Sequence, residues 1–234
     1  MIEILPTNTC PPDVAELSRR SEVFASFAPS IQLDVGDGTF VPEASWPCRE
    51  GQWSEFEAMV AKGEKLPFSD TVRYEVHLMV QDPLRLGGLL ARAGCMRVIP
   101  HVEVFDGVSD IRSAIDSWKA DGASEVGLAL LLGTPLSAIE SVANSLDVVQ
   151  LMSIGKLGYQ GAPFEPSVIQ RIEEVHAAHP ELPIEIDGGV SKHTITELVR
   201  AGATRFGVGS AISKAPDPKA AYEELRALAE SAVH

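Results

Sequence analysis

The chain has 234 residues, enough for one α/β domain with a self-supporting core, and carries 19 Lys and Arg against 33 Asp and Glu, a formal net charge of -14. That field repels nucleic acid and anionic membrane, so neither is expected as a partner, and a phosphorylated ligand would need local backbone donors. Cys10, Cys48 and Cys95 lack C-x-x-C spacing, Met1 to Pro6 has no basic-then-apolar leader pattern, and no run approaches the ~18 apolar residues of a membrane span; neither a disulfide framework nor a Cys-rich zinc site is suggested, and a reducing cytoplasm is expected.

Short β-branched apolar runs alternate with longer segments of helical period in eight pairs. The predicted strands are Ile2 to Leu5, Ser30 to Val35, Tyr74 to Val80, Arg97 to Pro100, Glu125 to Leu130, Val148 to Ile154, Pro183 to Ile186 and Arg205 to Val208. Their near-continuous apolar character is that of parallel strands covered on both faces. The second ends in Asp34-Val35-Gly36-Asp37-Gly38, and its alternation puts Gln32 and Asp34 on one side, with Ile31, Leu33 and Val35 on the other. Such a polar pair has two readings: strand-end side chains bonded to loop backbone, or chemistry.

The longest connection, Pro42 to Asp70, holds Trp46, Trp53 and Phe56, and a helix is predicted from about Arg49 to Lys62. Asp82-Pro83, Glu165-Pro166 and Asp217-Pro218 each set an acidic residue before a proline suited to a first helical turn. Val168, Ile169, Ile172 and Val175 then form one apolar stripe for a helix facing a sheet. Eight such units close best as a (β/α)8 TIM barrel, read as one domain over residues 1–234. The alternative, an open doubly wound sheet, lacks its G-x-G-x-x-G after the first strand.

Function in such a barrel belongs at the C-terminal ends of the strands. Asp34, Asp37, His77, His101, Glu103 and Asp187 are all predicted there, and almost every ionisable residue of the buried runs is expected at this rim, which favours the chemical reading of Asp34. Asp187-Gly188-Gly189, with a helix start predicted near Ser191, and Val208-Gly209-Ser210 offer bare amides to an anion, though glycines also serve tight turns. Asp34 and Asp187, from the second and seventh strands, face each other across the barrel as two-base epimerisation requires. His77 beside them is either a hydrogen-bond donor or a ligand, with Asp34 and Asp187, of a divalent metal such as Zn, Mn or Fe. His176 and His179 are expected at the surface.

Over nearly its full length the chain resembles the ribulose-phosphate 3-epimerase family. The runs that carry this are Leu33-Asp34-Val35, Asp37-Gly38-Thr39-Phe40-Val41-Pro42, Val76-His77-Leu78-Met79-Val80, His101 with Glu103, Gly127-Leu128-Ala129-Leu130, Gly133-Thr134-Pro135, Met152-Ser153, Asp187-Gly188-Gly189-Val190 and Gly209-Ser210-Ala211-Ile212. The resemblance implies a phosphate-binding barrel acting on a ketose phosphate through an enediolate. Asp34 and Asp187 are then the acid/base pair and, with His77, ligands of a divalent metal; Thr7, Gly158, Gly188, Gly189, Gly209 and Ser210 bind the phosphorylated sugar. Homo-oligomerisation is left open.

Four departures stand out. Gln32 replaces a histidine ligand, Gly36 replaces a methionine and is expected to remove a pocket wall, and Leu131-Leu132 replaces Asn-Pro. The loop from Gly155 to Phe164 is one residue longer and carries Lys156. Lys156 opens the alternative of a Schiff-base lyase, and Gln32 that of a binder without turnover. Tyr159 and Gln160, between Gly158 and Gly161, suit a lid.

Overall fold

The computed structural model describes residues 1–157 and 162–233; Gly158, Tyr159, Gln160 and Gly161 lie outside the described residues. Eight parallel strands close in sequential order: β1 (Glu3–Asn8), β2 (Ser30–Gly36), β3 (Arg73–Met79), β4 (Cys95–Pro100), β5 (Glu125–Leu130), β6 (Val148–Met152), β7 (Ile184–Asp187) and β8 (Arg205–Val208). β8 closes onto β1, with Glu3 opposite Arg205 and Pro6 opposite Val208. The chain is therefore a (β/α)8 TIM barrel. β1 runs past Pro6, which lacks one ladder N–H, and this carries Thr7 to the rim opposite Gln32.

Around the barrel lie α1 (Val14–Ala25), α2 (Gln52–Ala61), α3 (Leu84–Arg92), α4 (Val108–Ala120), α5 (Val168–Ala178), α6 (Ile195–Ala201), a one-turn α7 (Ser210–Ser213) and α8 (Pro218–Ser231). Asp217 caps α8 by accepting from the Ala220 N–H at 3.0 Å, with Pro218 in the first turn as its fixed φ allows. The stripe on α5 buries Val168, Ile172 and Val175 against the sheet, and His176 on the same helix is exposed. The β5–β6 connection departs from the expected strand–helix alternation, since it forms only 3-10 turns at Leu136–Ala138 and Ala143–Ser145. There the Ser145 N–H bonds Val142 O at the shorter i−3 spacing, and the Ser141 carbonyl accepts from Arg112 at 2.9 Å. α6 begins at Ile195 rather than Ser191, because the Thr194 hydroxyl takes the Ser191 N–H at 3.0 Å and holds a turn before the helix.

The strands divide their side chains between two environments. Ile31, Leu33 and Val35 join the apolar layer under the helices, each burial worth about 1.5–3 kcal/mol, whereas Gln32 and Asp34 point into the barrel. Gly207 opposite leaves room for this: a Cβ there would lie 2.2 Å from Gln32 Oε1. The expectation that ionisable residues collect at one rim is corrected by a second charged layer. At the opposite end Arg97 meets Glu125 at 2.7 Å, Glu3 at 3.1 Å, Glu75, and Glu185 at 4.0 Å, while Arg205 meets Glu125 at 2.8 Å. These residues lie within the first three positions of their strands, where apolar neighbours in sequence mask their charge from a count of ends.

Gly36 also departs from expectation. A Cβ there would meet Val41 Cγ2 at 2.5 Å and the Glu43 carbonyl oxygen at 2.7 Å, so the following loop fills the place assigned to a missing wall. The loop is tied back by Ser45, whose N–H reaches Gly36 O at 2.9 Å and whose hydroxyl accepts from Gly36 N–H at 3.0 Å. Gly36→Ala is expected to lower stability by about 1–3 kcal/mol in urea unfolding, as overpacking against backbone does; a loss below about 0.5 kcal/mol would show that the loop yields freely.

Candidate active site

The C-terminal ends of the strands surround a cavity of about 340 Å³ lined by Thr7, Asp34, Met79, Met152, Asp187 and the Gly188-Gly189 and Gly209-Ser210 turns. Parallel pairing sets the geometry at its floor. The β2–β3 register puts Asp34 opposite His77, and Asp187 ends β7 three strand steps away through β8 and β1. His77 is fully buried, and its Nδ1 lies 3.0 Å from Asp187 Oδ2 and 3.5 Å from Asp34 Oδ1. Neither Nδ1 nor Asp34 Oδ1 has a properly directed hydrogen-bond partner. The three groups thus turn toward a shared space more than toward one another, their ligand atoms within 4.8 Å.

This cluster shapes its own electrostatics. Burial opposes charge on His77, but the Asp187 and Asp34 carboxylates outweigh it and push the imidazole up to about 9. Burial raises Asp34 to about 6, with His77 pulling down and Asp187 adding to the rise. Asp187 Oδ2 is also approached by Gln150 Nε2 at 3.3 Å and Gln32 Nε2 at 3.5 Å. Gln32 is oriented by the Thr7 hydroxyl, which donates to its Oε1 at 2.8 Å. So placed, Gln32 stabilises negative charge on Asp187, and an amide nitrogen has no lone pair for a metal. The donor set that fits a divalent ion is Asp34, His77 and Asp187: three protein ligands of oxygen and nitrogen type, as catalytic sites keep, with orphaned, buried atoms on Asp34 and His77.

The expected site residues that are described each have a definite place. Thr7, Gly188, Gly189, Gly209 and Ser210 line the cavity, with φ of +102° and +63° at Gly188 and Gly189; Gly158 lies outside the described residues. Ser153 donates to the Asp187 carbonyl at 3.1 Å and to Gly188 O, holding that turn. Asp37 belongs to the loop: Oδ1 accepts from Thr39 and Phe40 N–H at 2.7 and 2.8 Å, and Oδ2 from Gln81 N–H at 2.7 Å. Lys156 is exposed and is not among the lining residues, though Leu157 is. Sequence reading missed Gln150, Met79 and Met152. Gln150 left a signal, a single amide at an inward position of an apolar run.

Comparison with known proteins gives a family. The model of the ribulose-phosphate 3 epimerase family matches residues 11–213. Ribulose-phosphate 3-epimerase of Bacillus subtilis is 31% identical over 97% of this chain and 99% of its own, and that of Escherichia coli 31% over 88% and 86%. Among solved structures, 3-hexulose-6-phosphate synthase from Salmonella typhimurium superposes with a TM-score of 0.70 at 16% identity, covering 100% of both chains, a likeness of fold. A match over most of the chain means that the protein belongs to the ribulose-phosphate 3 epimerase family of carbohydrate epimerases.

Proposed function

We propose that the protein epimerises a small ketose phosphate, a pentose phosphate such as ribulose 5-phosphate first among the candidates, by two-base proton transfer through an enediolate. One observation carries this reading: Asp34 and Asp187 come from strands three steps apart, yet their carboxylates line one cavity with His77 between them. Each turns one oxygen, Asp34 Oδ1 and Asp187 Oδ2, toward His77. One carboxylate removes the proton next to the carbonyl and the other returns a proton to the opposite face. The Gly188-Gly189 and Gly209-Ser210 amides, with Thr7, hold the phosphate. A divalent ion on Asp34, His77 and Asp187, for which Zn, Mn or Fe suit the donors, would supply positive charge to the developing oxyanion. We read residues 1–234 as one domain, and the free thiols Cys10, Cys48 and Cys95 fit a reducing cytoplasm.

The test is incubation with pentose and tetrose phosphates in D2O. Epimer should appear with one solvent deuterium at the inverted carbon. Thermal stabilisation without epimer or deuterium across the panel would replace the reading by that of a sugar-phosphate binder.

A lyase working through Lys156 predicts a different result. Because that lysine is exposed and stands off the cavity lining, Lys156→Ala should change kcat/KM by less than about threefold, under 1 kcal/mol of barrier, and borohydride should trap no adduct. A trapped adduct on Lys156 with loss of turnover would reinstate the lyase.

A further inference from the structure

Behind His77, away from the cavity, runs a chain of hydrogen bonds that the proposed reaction does not use. His77 Nε2 lies 2.8 Å from His101 Nε2, and His101 Nδ1 lies 3.2 Å from Glu103 Oε2. The other oxygen, Glu103 Oε1, takes the Leu131 N–H at 2.8 Å and the Thr134 hydroxyl. Both imidazoles are fully buried, and the Phe40 ring lies 4.6 Å from that of His101. Water is therefore a poor substitute for either imidazole, while Glu103, at the exposed end of the chain, is held in place by Leu131 and Thr134.

The direction of each bond follows from its fixed end. A backbone N–H can only donate, and an ionised carboxylate can only accept. Glu103, anchored by Leu131 and Thr134, must therefore accept the proton of His101 Nδ1. A neutral His101 then has only a lone pair on Nε2, so His77 must donate its Nε2–H. When His77 is neutral, as ligation requires, its lone pair is therefore on Nδ1, the atom that faces Asp34 and Asp187. We infer that Glu103 and His101 are positioning residues which, from the loop after β4, dictate the nitrogen that His77 presents to the two aspartates. A ligating histidine needs such a partner on its far nitrogen to fix tautomer and ring orientation, and loss of one costs about 10–100-fold in metal affinity. The role in ion binding rests on the three-residue ligand set proposed above, whereas the tautomer assignment stands without it.

Glu103→Gln tests this with almost no change of shape. Its carbonyl would keep the Leu131 N–H, and its NH2 would point at His101 Nδ1. His101 would then carry its proton on Nε2, and His77 would have to hold its own on Nδ1. In metal-free protein, imidazole 15N shifts should show His101 protonated on Nδ1 in the wild type and on Nε2 in Glu103→Gln. Titration with Co2+ should show affinity about 10–100-fold weaker in Glu103→Gln and in His101→Leu, and largely kept in His101→Gln, whose carbonyl can stand in for the accepting Nε2. A packing role alone would leave the isosteric Glu103→Gln unchanged in both readouts. A wild-type His101 protonated on Nε2, or Glu103→Gln binding Co2+ as the wild type does, would overturn the inference. A wild type that binds no Co2+, Zn2+ or Mn2+ would instead remove the ligand set from the proposed function, and the nitrogen shifts alone would then decide the positioning role.

Discussion

Asp34→Asn and Asp187→Asn are each expected to lower epimerisation by about 10²–10⁴-fold, the usual worth of one general acid/base, with the fold intact. Both replacements keep size and hydrogen-bonding capacity but remove the group that takes or returns the proton. Asp34 is placed for this by burial, which holds it at about 6, close enough to neutrality for it to exchange a proton in either direction. Isotope exchange gives a sharper reading than turnover. If each carboxylate serves one face, Asp34→Asn should still wash deuterium into the epimer whose hydrogen faces Asp187, and Asp187→Asn into the other. A single-base mechanism would instead leave one variant exchanging both epimers and the other exchanging neither. Full exchange of both epimers by both variants would remove the aspartates from the chemistry altogether.

How much of this was legible in the sequence depends on the range of the physics involved. Asp34, His77 and Asp187 could be found because barrel topology brings the ends of buried strands together whatever the details of packing. Gly188-Gly189 and Gly209-Ser210 could be found because bare amides after the last two strands recur at phosphate sites. What could not be read depends on contacts between distant segments. Gly36 looks like an opening until Val41 and Glu43 fold back over it. His101 and Glu103 look like two more polar rim residues until Leu131 and Thr134, from the next connection, fix their direction. The β5–β6 segment has helical spacing, yet Arg112 on another element takes its Ser141 carbonyl. Arg97 and its carboxylates were hidden because each lies within the first three residues of a strand that is mostly apolar.

That second charged layer makes the strongest stability prediction. Two guanidiniums, Arg97 and Arg205, face four carboxylates, Glu3, Glu75, Glu125 and Glu185. Arg97 is the member that contacts all four, so Arg97→Met, of similar length, should leave the buried Glu75 carboxylate without its ion-pair partner and make Glu185 costlier still to ionise. A loss of about 3–5 kcal/mol is expected, a large share of the 5–15 kcal/mol typical of a folded domain, with the active site some distance up the barrel untouched. Glu185 reports the imbalance directly. Burial, then the charge of Glu75, raises its carboxyl well above the ordinary 4.5, so it folds with its proton. A raised group binds more protons folded than unfolded, so its contribution is complete below the unfolded value and fades as pH climbs through the range between unfolded and folded values. Glu3 and Glu125 are lowered and act in the opposite direction, but they are common to wild type and Glu185→Gln. The difference between those two proteins therefore isolates Glu185. Urea midpoints should show Glu185→Gln gaining on the wild type as pH rises from 5 to 8, and the same substitution should recover part of the stability lost in Arg97→Met. A gap that stays constant with pH would mean that Glu185 folds ionised and that Arg97 and Arg205 suffice for all four carboxylates.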